Sequence, residues 1–176
     1  MILRKINAIL SLVTTALLLN HAIFNAIRML SRGSVAKPAN NLSFVLFGLM
    51  MVHAFISILL AFLGHKGAEK RKCKEYSNLN TPTIIQRMSG VALILFTVLH
   101  VAGTAGGLHP PAIVHSILPP LFFTVVLLHA AISTSKAFIT LGIGNVKLIK
   151  TVDVVAKVIC SATLIADVIG FYLYLC

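Results

Sequence analysis

Five apolar runs divide the chain, and each is long enough to cross a membrane. They extend over residues 6–30, 42–63, 84–108, 112–141 and 152–175. The hydrocarbon core of a bilayer is about 30 Å thick and a helix rises about 1.5 Å per residue, so about 20 apolar residues suffice. The runs are continuous, whereas the strands of a membrane barrel alternate with period two. The sequence therefore predicts an all-α integral membrane bundle of five transmembrane helices in a single domain, 1–176.

Composition and charge agree with this class. Hydrophobic residues make up 58% of the chain and charged residues only 11%, which is typical of membrane proteins rather than soluble domains. The net charge is +11, and most basic residues lie before the first run, between the second and third, and around the fourth connection, while the other side has only Arg28, Arg32 and Lys37. By the positive-inside rule the amino terminus is cytoplasmic and the carboxyl terminus outside. Anionic lipid headgroups therefore explain the charge, and no nucleic-acid partner is expected.

Two of the runs carry the same short motif around a histidine. His53-Ala-Phe-Ile-Ser57 in the second run recurs as His129-Ala-Ala-Ile-Ser133 in the fourth. Ionisable side chains inside the hydrocarbon are costly and usually functional. The repeated motif therefore identifies His53 and His129 as candidate site residues.

A looser repeat links the first and third runs. Segment 11–21, which ends at His21, resembles segment 89–100, which ends at His100, when one residue of slippage is allowed. These two histidines are separated by nearly the same interval as the two copies of the shorter motif. A common interval is expected when a unit has been duplicated. The first four helices are therefore predicted to be a duplicated helical hairpin.

The four histidines form two repeat-related pairs, one residue per helix. A single membrane histidine is commonly neutral and hydrogen-bonded to a neighbouring helix, but four at matched depths favour metal coordination. Two opposed imidazoles and an apolar slot suit the axial ligation of a haem iron. Zinc fits less well, since its sites add cysteine, carboxylate or a third histidine. We expect two haems, one held by His21 and His100 toward the outer face and one by His53 and His129 nearer the cytoplasm.

These residues resemble a known family, the cytochrome b membrane anchors of succinate:quinone oxidoreductases and quinol:fumarate reductases, in its single-chain, five-helix, two-haem form. The histidines fall on helices one to four as in that family. The segment Thr83-Ile-Ile-Gln86-Arg87-Met-Ser89-Gly90 is similar to the family signature Ser-x-x-His-Arg-x-Ser/Thr-Gly, with Thr83 in place of the serine and Gln86 in place of the histidine.

The resemblance implies cofactors, partners and a location. It implies two haems b and a menaquinone or ubiquinone. It implies a flavoprotein subunit and an iron–sulfur subunit that dock at the cytoplasmic face, with succinate dehydrogenase or fumarate reductase activity in those soluble partners. The chain would then be a multi-pass protein of a bacterial or archaeal cytoplasmic membrane that carries electrons and does not itself transform the dicarboxylate.

The resemblance also suggests further cofactor-binding residues. Arg87, with Thr83 and Gln86, would contact quinone, or Arg87 would hold a haem propionate. Lys136, about two turns beyond His129, and Arg28, about two turns beyond His21, are candidates for propionate contacts. Asp167 on helix five is a competing candidate for quinone contact or proton transfer on the outer side.

Two alternatives stay open on sequence grounds. One is an anchor for a different flavin-dependent reductase, which shares the same membrane architecture. The other is a small proton-coupled transporter that uses the buried histidines without haem, because repeats and intramembrane ionisable residues also occur in transporters.

Overall fold

The computed structural model describes residues 2–32, 34, 40–69, 81–105 and 112–175, and side chains are described for all of these except 40, 41, 64–69, 81–83, 104, 105, 112–116 and 175. Five helices follow one another: α1 (Ile2–Leu30), α2 (Asn40–Glu69), α3 (Thr81–Ala105), α4 (Ala112–Leu141) and α5 (Val146–Leu175). Each contains a stretch long and apolar enough to cross a membrane. The predicted five-helix membrane bundle is thus confirmed for the described part of the chain.

Four of the five helices begin before the apolar runs that predicted them, most clearly α5, whereas α4 begins with its run at residue 112. Its apolar run starts at residue 152, yet the helix starts at Val146. The side chain of Asn145 caps it, because the Leu148 backbone N–H donates to Asn145 Oδ1 at 2.9 Å. The first turns of α5 contain polar residues, so a hydropathy pattern places the start of this helix too late. At the end of the third run, residues 106–108 lie outside the described residues.

Neighbouring helices along the chain run antiparallel. Each of three inter-helix hydrogen bonds joins the start of one helix to the later part of its neighbour: Asn7 to Ser57, Gln86 to Ser133, and Asp153 to Ser135. The turn from α4 to α5 is short, and Gly142 and Gly144 adopt φ values of 75° and 94° in it. Glycine has no Cβ and enters this left-handed region without strain. We call the end of the bundle where α1, α3 and α5 begin the basic end.

The fourth helix lies at the centre of the bundle. It packs against α1, α3 and α5, while α1 also packs against α2 and α5. The buried core is formed by Val126, Leu127, Ala130, Ala131 and Cys160. Small residues let membrane helices approach closely. By contrast, α2 and α3 touch each other only slightly, which leaves an opening between them.

Large apolar side chains cover the outside of the bundle. Phe55, Phe62 and Val91 are each more than 60% exposed. A soluble monomer rarely presents so much contiguous apolar surface, whereas lipid is a suitable solvent for it. The duplication of the α1–α2 hairpin as α3–α4 stays a prediction.

The contact between α1 and α5 depends on Gly170. A Cβ at this position would lie 3.1 Å from Met29 Cβ and 3.3 Å from the Ala26 carbonyl oxygen. We predict that Gly170→Val destabilises the protein by about 1–3 kcal/mol through overpacking, measured as a lower midpoint of thermal unfolding in detergent. Gly48→Val is the matched control, since a Cβ there meets nothing within 4 Å. Equal melting of the two variants would contradict the packing.

Candidate functional site

A cavity of about 720 Å³ lies among α1, α2, α3 and α4, where α2 and α3 diverge. This volume falls within the range of about 300–1,000 Å³ that is typical of small-molecule and cofactor sites. Its deep part is lined by Leu18, Leu93, Ile94 and Val126. The cavity is therefore apolar away from the basic end and suits a ligand with a large hydrophobic body.

His53 from α2 and His129 from α4 both line this cavity. The two imidazoles are near enough that a positive charge on one would oppose a positive charge on the other. Nδ1 of His53 is buried and has no hydrogen-bond partner among the described residues. Buried polar atoms are nearly always satisfied, so an unpaired ring nitrogen beside a cavity suggests that a ligand completes it.

His129 is held closely by α3. Its Nδ1 lies 3.0 Å from Ser89 Oγ, and the ring passes so near Gly90 that a Cβ there would lie 3.2 Å from His129 Cε1. Any larger side chain at Gly90 would therefore push the imidazole out of position. The imidazole ring of His129 therefore packs on Ser89 and Gly90 of α3.

The same contacts favour one tautomer of His129. The Ser89 hydroxyl has one hydrogen to donate and lies within hydrogen-bond distance of the Gln86 carbonyl oxygen, at 3.1 Å, and of His129 Nδ1, at 3.0 Å. When the hydroxyl donates to the carbonyl oxygen, Nδ1–H of His129 donates to Ser89 Oγ. Nε2 then keeps a free lone pair, which is the form in which neutral imidazole binds a metal.

The basic end of the cavity carries three cationic side chains, from Arg4, Arg87 and Lys136. Lys136 Nζ donates to Gln86 Oε1 at 2.7 Å, and Gln86 Nε2 donates to Ser133 Oγ at 3.1 Å. The structure thus brings together Gln86, Arg87 and Lys136, while the side chain of Thr83 lies outside the described side chains. A cationic rim on an apolar cavity suits a ligand with acidic groups at one end.

The second histidine pair lies outside the cavity lining. His21 and His100 are also near enough to interact electrostatically. His21 Nε2 is 2.9 Å from Asn25 Nδ2, and its Nδ1 is 3.5 Å from Ser43 Oγ. The ring of His100 stacks on Phe122 with centroids 5.0 Å apart and an angle of 26°. The role of His21 and His100 as a ligand pair stays a prediction.

Two predicted site residues lie apart from the cavity. Arg28 is partly exposed in the last turn of α1, at the end opposite the basic end. Asp167 on α5 is only 1% exposed, and neither carboxylate oxygen has a hydrogen-bond partner among the described residues. An unpaired buried acid is costly in an apolar interior, and Asp167 does not line the cavity.

The sequence pattern alone does not identify every cavity residue. The charge pattern makes Arg4 a topological anchor and no motif includes Asn7, yet both residues line the cavity, as does Ser57. The repeat interval is the signal that points to Asn7, because it precedes Gln86 by the interval that separates His21 from His100. The basic connection between α2 and α3, expected to dock a soluble partner, lies outside the described residues.

Among the described residues, no group of three or more histidine, cysteine, aspartate or glutamate side chains comes together. Comparison of the chain with family models, with curated proteins and with solved structures found no match. The inference about function therefore rests on the geometry and on the sequence pattern.

The tautomer of His129 is testable without any ligand. We predict that Ser89→Ala removes the acceptor for Nδ1–H and shifts the ¹⁵N imidazole resonances of His129 toward the other tautomer. The control is Ser135→Ala, because Ser135 donates to Asp153 rather than to a histidine. Unchanged His129 resonances in Ser89→Ala would contradict the hydrogen-bond assignment. The lost bond should cost only about 1 kcal/mol of stability.

Proposed function

We propose that this chain is a membrane cytochrome b that anchors a flavoprotein and an iron–sulfur subunit of the succinate dehydrogenase or fumarate reductase type. It would carry electrons between those subunits and membrane quinone. The observation that carries the proposal is the pair His53 and His129, which enter one apolar cavity from different helices beside a cationic rim. Paired histidines suit a haem iron, an apolar wall suits its ring, and cations suit its carboxylates.

The cavity residues fit the group. A bound haem would supply a one-electron carrier in the middle of the membrane. His53 and His129 would hold its iron, and the apolar wall would pack on its ring. Arg4, Arg87 and Lys136 would neutralise its two carboxylates, which are too costly to leave unpaired in a medium of low dielectric constant. Ser89 would keep Nδ1–H of His129 paired and so leave Nε2 for the metal.

The pair His21 and His100 supports a second haem toward the other end of the bundle. The flat face of His100 already rests on Phe122, an aromatic neighbour that would limit how the imidazole turns. Nε2 of His21 would exchange its contact with Asn25 for the metal. Arg28, in the last turn of α1, is the candidate to neutralise a carboxylate there.

The quinone site is proposed at the basic end, near Arg87. A carbonyl oxygen gains negative charge on reduction, and a fixed cation beside it stabilises the reduced form more than the oxidised one. Gln86 is already bonded to Lys136 and Ser133, so it would act by fixing the lysine as much as by touching quinone. Thr83 remains a third candidate. Asp167 is the competing candidate, because its buried carboxyl has no partner among the described residues.

The proposed orientation follows from the basic residues. With the basic end in the cytoplasm of a bacterium or archaeon, the iron–sulfur subunit would dock there, close to the haem of His53 and His129. An anchor of another flavin-dependent reductase would use the same arrangement. A proton-coupled transporter is the candidate from another class, and the unpaired carboxyl of Asp167 favours it. It requires no haem.

We predict two haems b per chain in protein produced with adequate haem supply, quantified as the pyridine haemochrome against protein mass. The reason is that each of the two histidine pairs can hold one haem iron. A value of zero for folded protein would favour the transporter, and a value of one would leave one pair without its proposed ligand.

The two haems should be separable by substitution. His53→Ala or His129→Ala should remove one haem, and His21→Ala or His100→Ala the other, as followed by redox titration of the remaining absorption. Each pair serves as the control for the other. If all four variants lose both haems equally while remaining folded, the sites are not independent.

Arg87→Leu should lower quinone turnover at least about tenfold, which corresponds to about 1.4 kcal/mol. The assay compares it with Asp167→Asn at matched haem content. If Arg87 only neutralises a haem carboxylate, the haem potential should move while quinone kinetics stay the same. Full quinone activity in Arg87→Leu together with its loss in Asp167→Asn would place the quinone near α5 instead.

A further inference from the structure

The walls of the cavity contain two similar hydrogen bonds that neither haem ligation nor quinone contact requires. Asn7 Nδ2 donates to Ser57 Oγ at 3.1 Å and ties α1 to α2. Gln86 Nε2 donates to Ser133 Oγ at 3.1 Å and ties α3 to α4. All four residues line the cavity. Each is a side-chain amide on the first helix of a hairpin that donates to a serine on the second helix.

The positions of these residues follow the internal repeat. Ser57 and Ser133 end the two copies of the histidine motif. Asn7 and Gln86 are separated by the same interval as His21 and His100, although the slippage in the looser repeat lies between them. The two amides are equivalent in the structure, because each donates to the serine that ends its motif. Isolated cross-helix hydrogen bonds are common in membranes, but two at equivalent positions around one cavity indicate a shared purpose.

Each bond also lies beside a histidine. Ser57 follows His53 by one helical turn, and Ser133 follows His129 by one turn, so each serine shares a helix face with its histidine. Each amide residue therefore bonds to a serine that shares a helix face with a histidine of the cavity.

We propose that Asn7 and Gln86 are repeat-equivalent positioning residues. Each fixes its hairpin at the level of the cavity, so that His53 and His129 meet the bound group from opposite sides at a set distance and ring angle. This positioning role rests on the proposed function in one respect, because it takes the bound group to be haem. The positioning of the imidazoles by the amide–serine bonds does not depend on what is bound.

The two halves differ in their link to a cation. Gln86 Oε1 accepts from Lys136, whereas the residue equivalent to Lys136 in the first hairpin is the apolar Leu60. Gln86 thus links a histidine to a cation, and Asn7 does not. Gln86→Leu should therefore change both ring orientation and haem potential, while Asn7→Leu should act mainly on ring orientation.

The experiment compares Asn7→Leu and Gln86→Leu with Asn20→Leu, a matched change at an exposed position of α1. The first readout is the ¹⁵N imidazole spectrum of histidine-labelled, haem-free protein. Asn7→Leu should move the resonances of His53, and Gln86→Leu those of His129, with the control unchanged. The second readout is the low-spin ferric EPR signal of loaded protein, which reports the angle between axial imidazoles and should shift for one haem only.

Milder variants cover the case in which a leucine variant fails to fold. Ser57→Ala and Ser133→Ala remove only the accepting hydroxyls, and should reproduce the resonance shifts of Asn7→Leu and Gln86→Leu respectively. Adding the serine change to the amide change should give no further shift, because both remove the same bond.

The outcomes separate this role from the proposed function. Resonance shifts as expected in a protein that binds no haem would support the positioning role and reject the cytochrome. If haem binds normally and none of the four substitutions changes the imidazole or EPR spectra, the positioning role is overturned. The cytochrome proposal would then be unaffected. Equal shifts in Asn20→Leu would also overturn it, since the effect would then be general.

Discussion

The interior of a bilayer offers no water to a polar side chain, and the structure depends on this constraint. A histidine, serine, amide or charged group within the spans must hydrogen-bond to another group of the bundle. Otherwise it loses the free energy of hydration without compensation. Several threonines meet the demand locally, as Thr14 and Thr163 do by donating to carbonyls one turn earlier. Some polar groups that reach across helices line the cavity enclosed by the first four helices, as Asn7 with Ser57 and Gln86 with Ser133 do.

The cavity follows from how the helices pack. Small residues on α4, including Ala130 and Ala131, allow close packing at the centre of the bundle. No comparable contact joins α2 to α3 in the described chain, and the space between them is where His53 and His129 converge. A rigid, flat ligand bound there would bridge the two helices. Its binding energy would then contribute directly to the stability of the bundle.

Hydropathy predicts the five spans well, because soluble proteins rarely contain continuous apolar runs of this length. It predicts helix ends less well, since the start of α5 is decided by the Asn145 cap and not by hydrophobicity. Repetition in the sequence points to the four histidines. Their surroundings, such as the stacking of His100 on Phe122, depend on which helix faces which, and a single sequence does not contain that information. Gln86 is instructive, because its bonds to Lys136 and Ser133 show a structural role at a position that the family signature associates only with quinone contact.

Paired histidines from separate helices are proposed to hold haem iron on both sides, and the function depends on this arrangement. Near-infrared magnetic circular dichroism of the oxidised, detergent-solubilised protein tests it most directly, because the charge-transfer band of low-spin ferric haem identifies its axial ligands. We expect a bis-histidine band whose intensity matches the full haem content. A high-spin signal, a band from histidine with another ligand, or no haem signal from folded protein would contradict it.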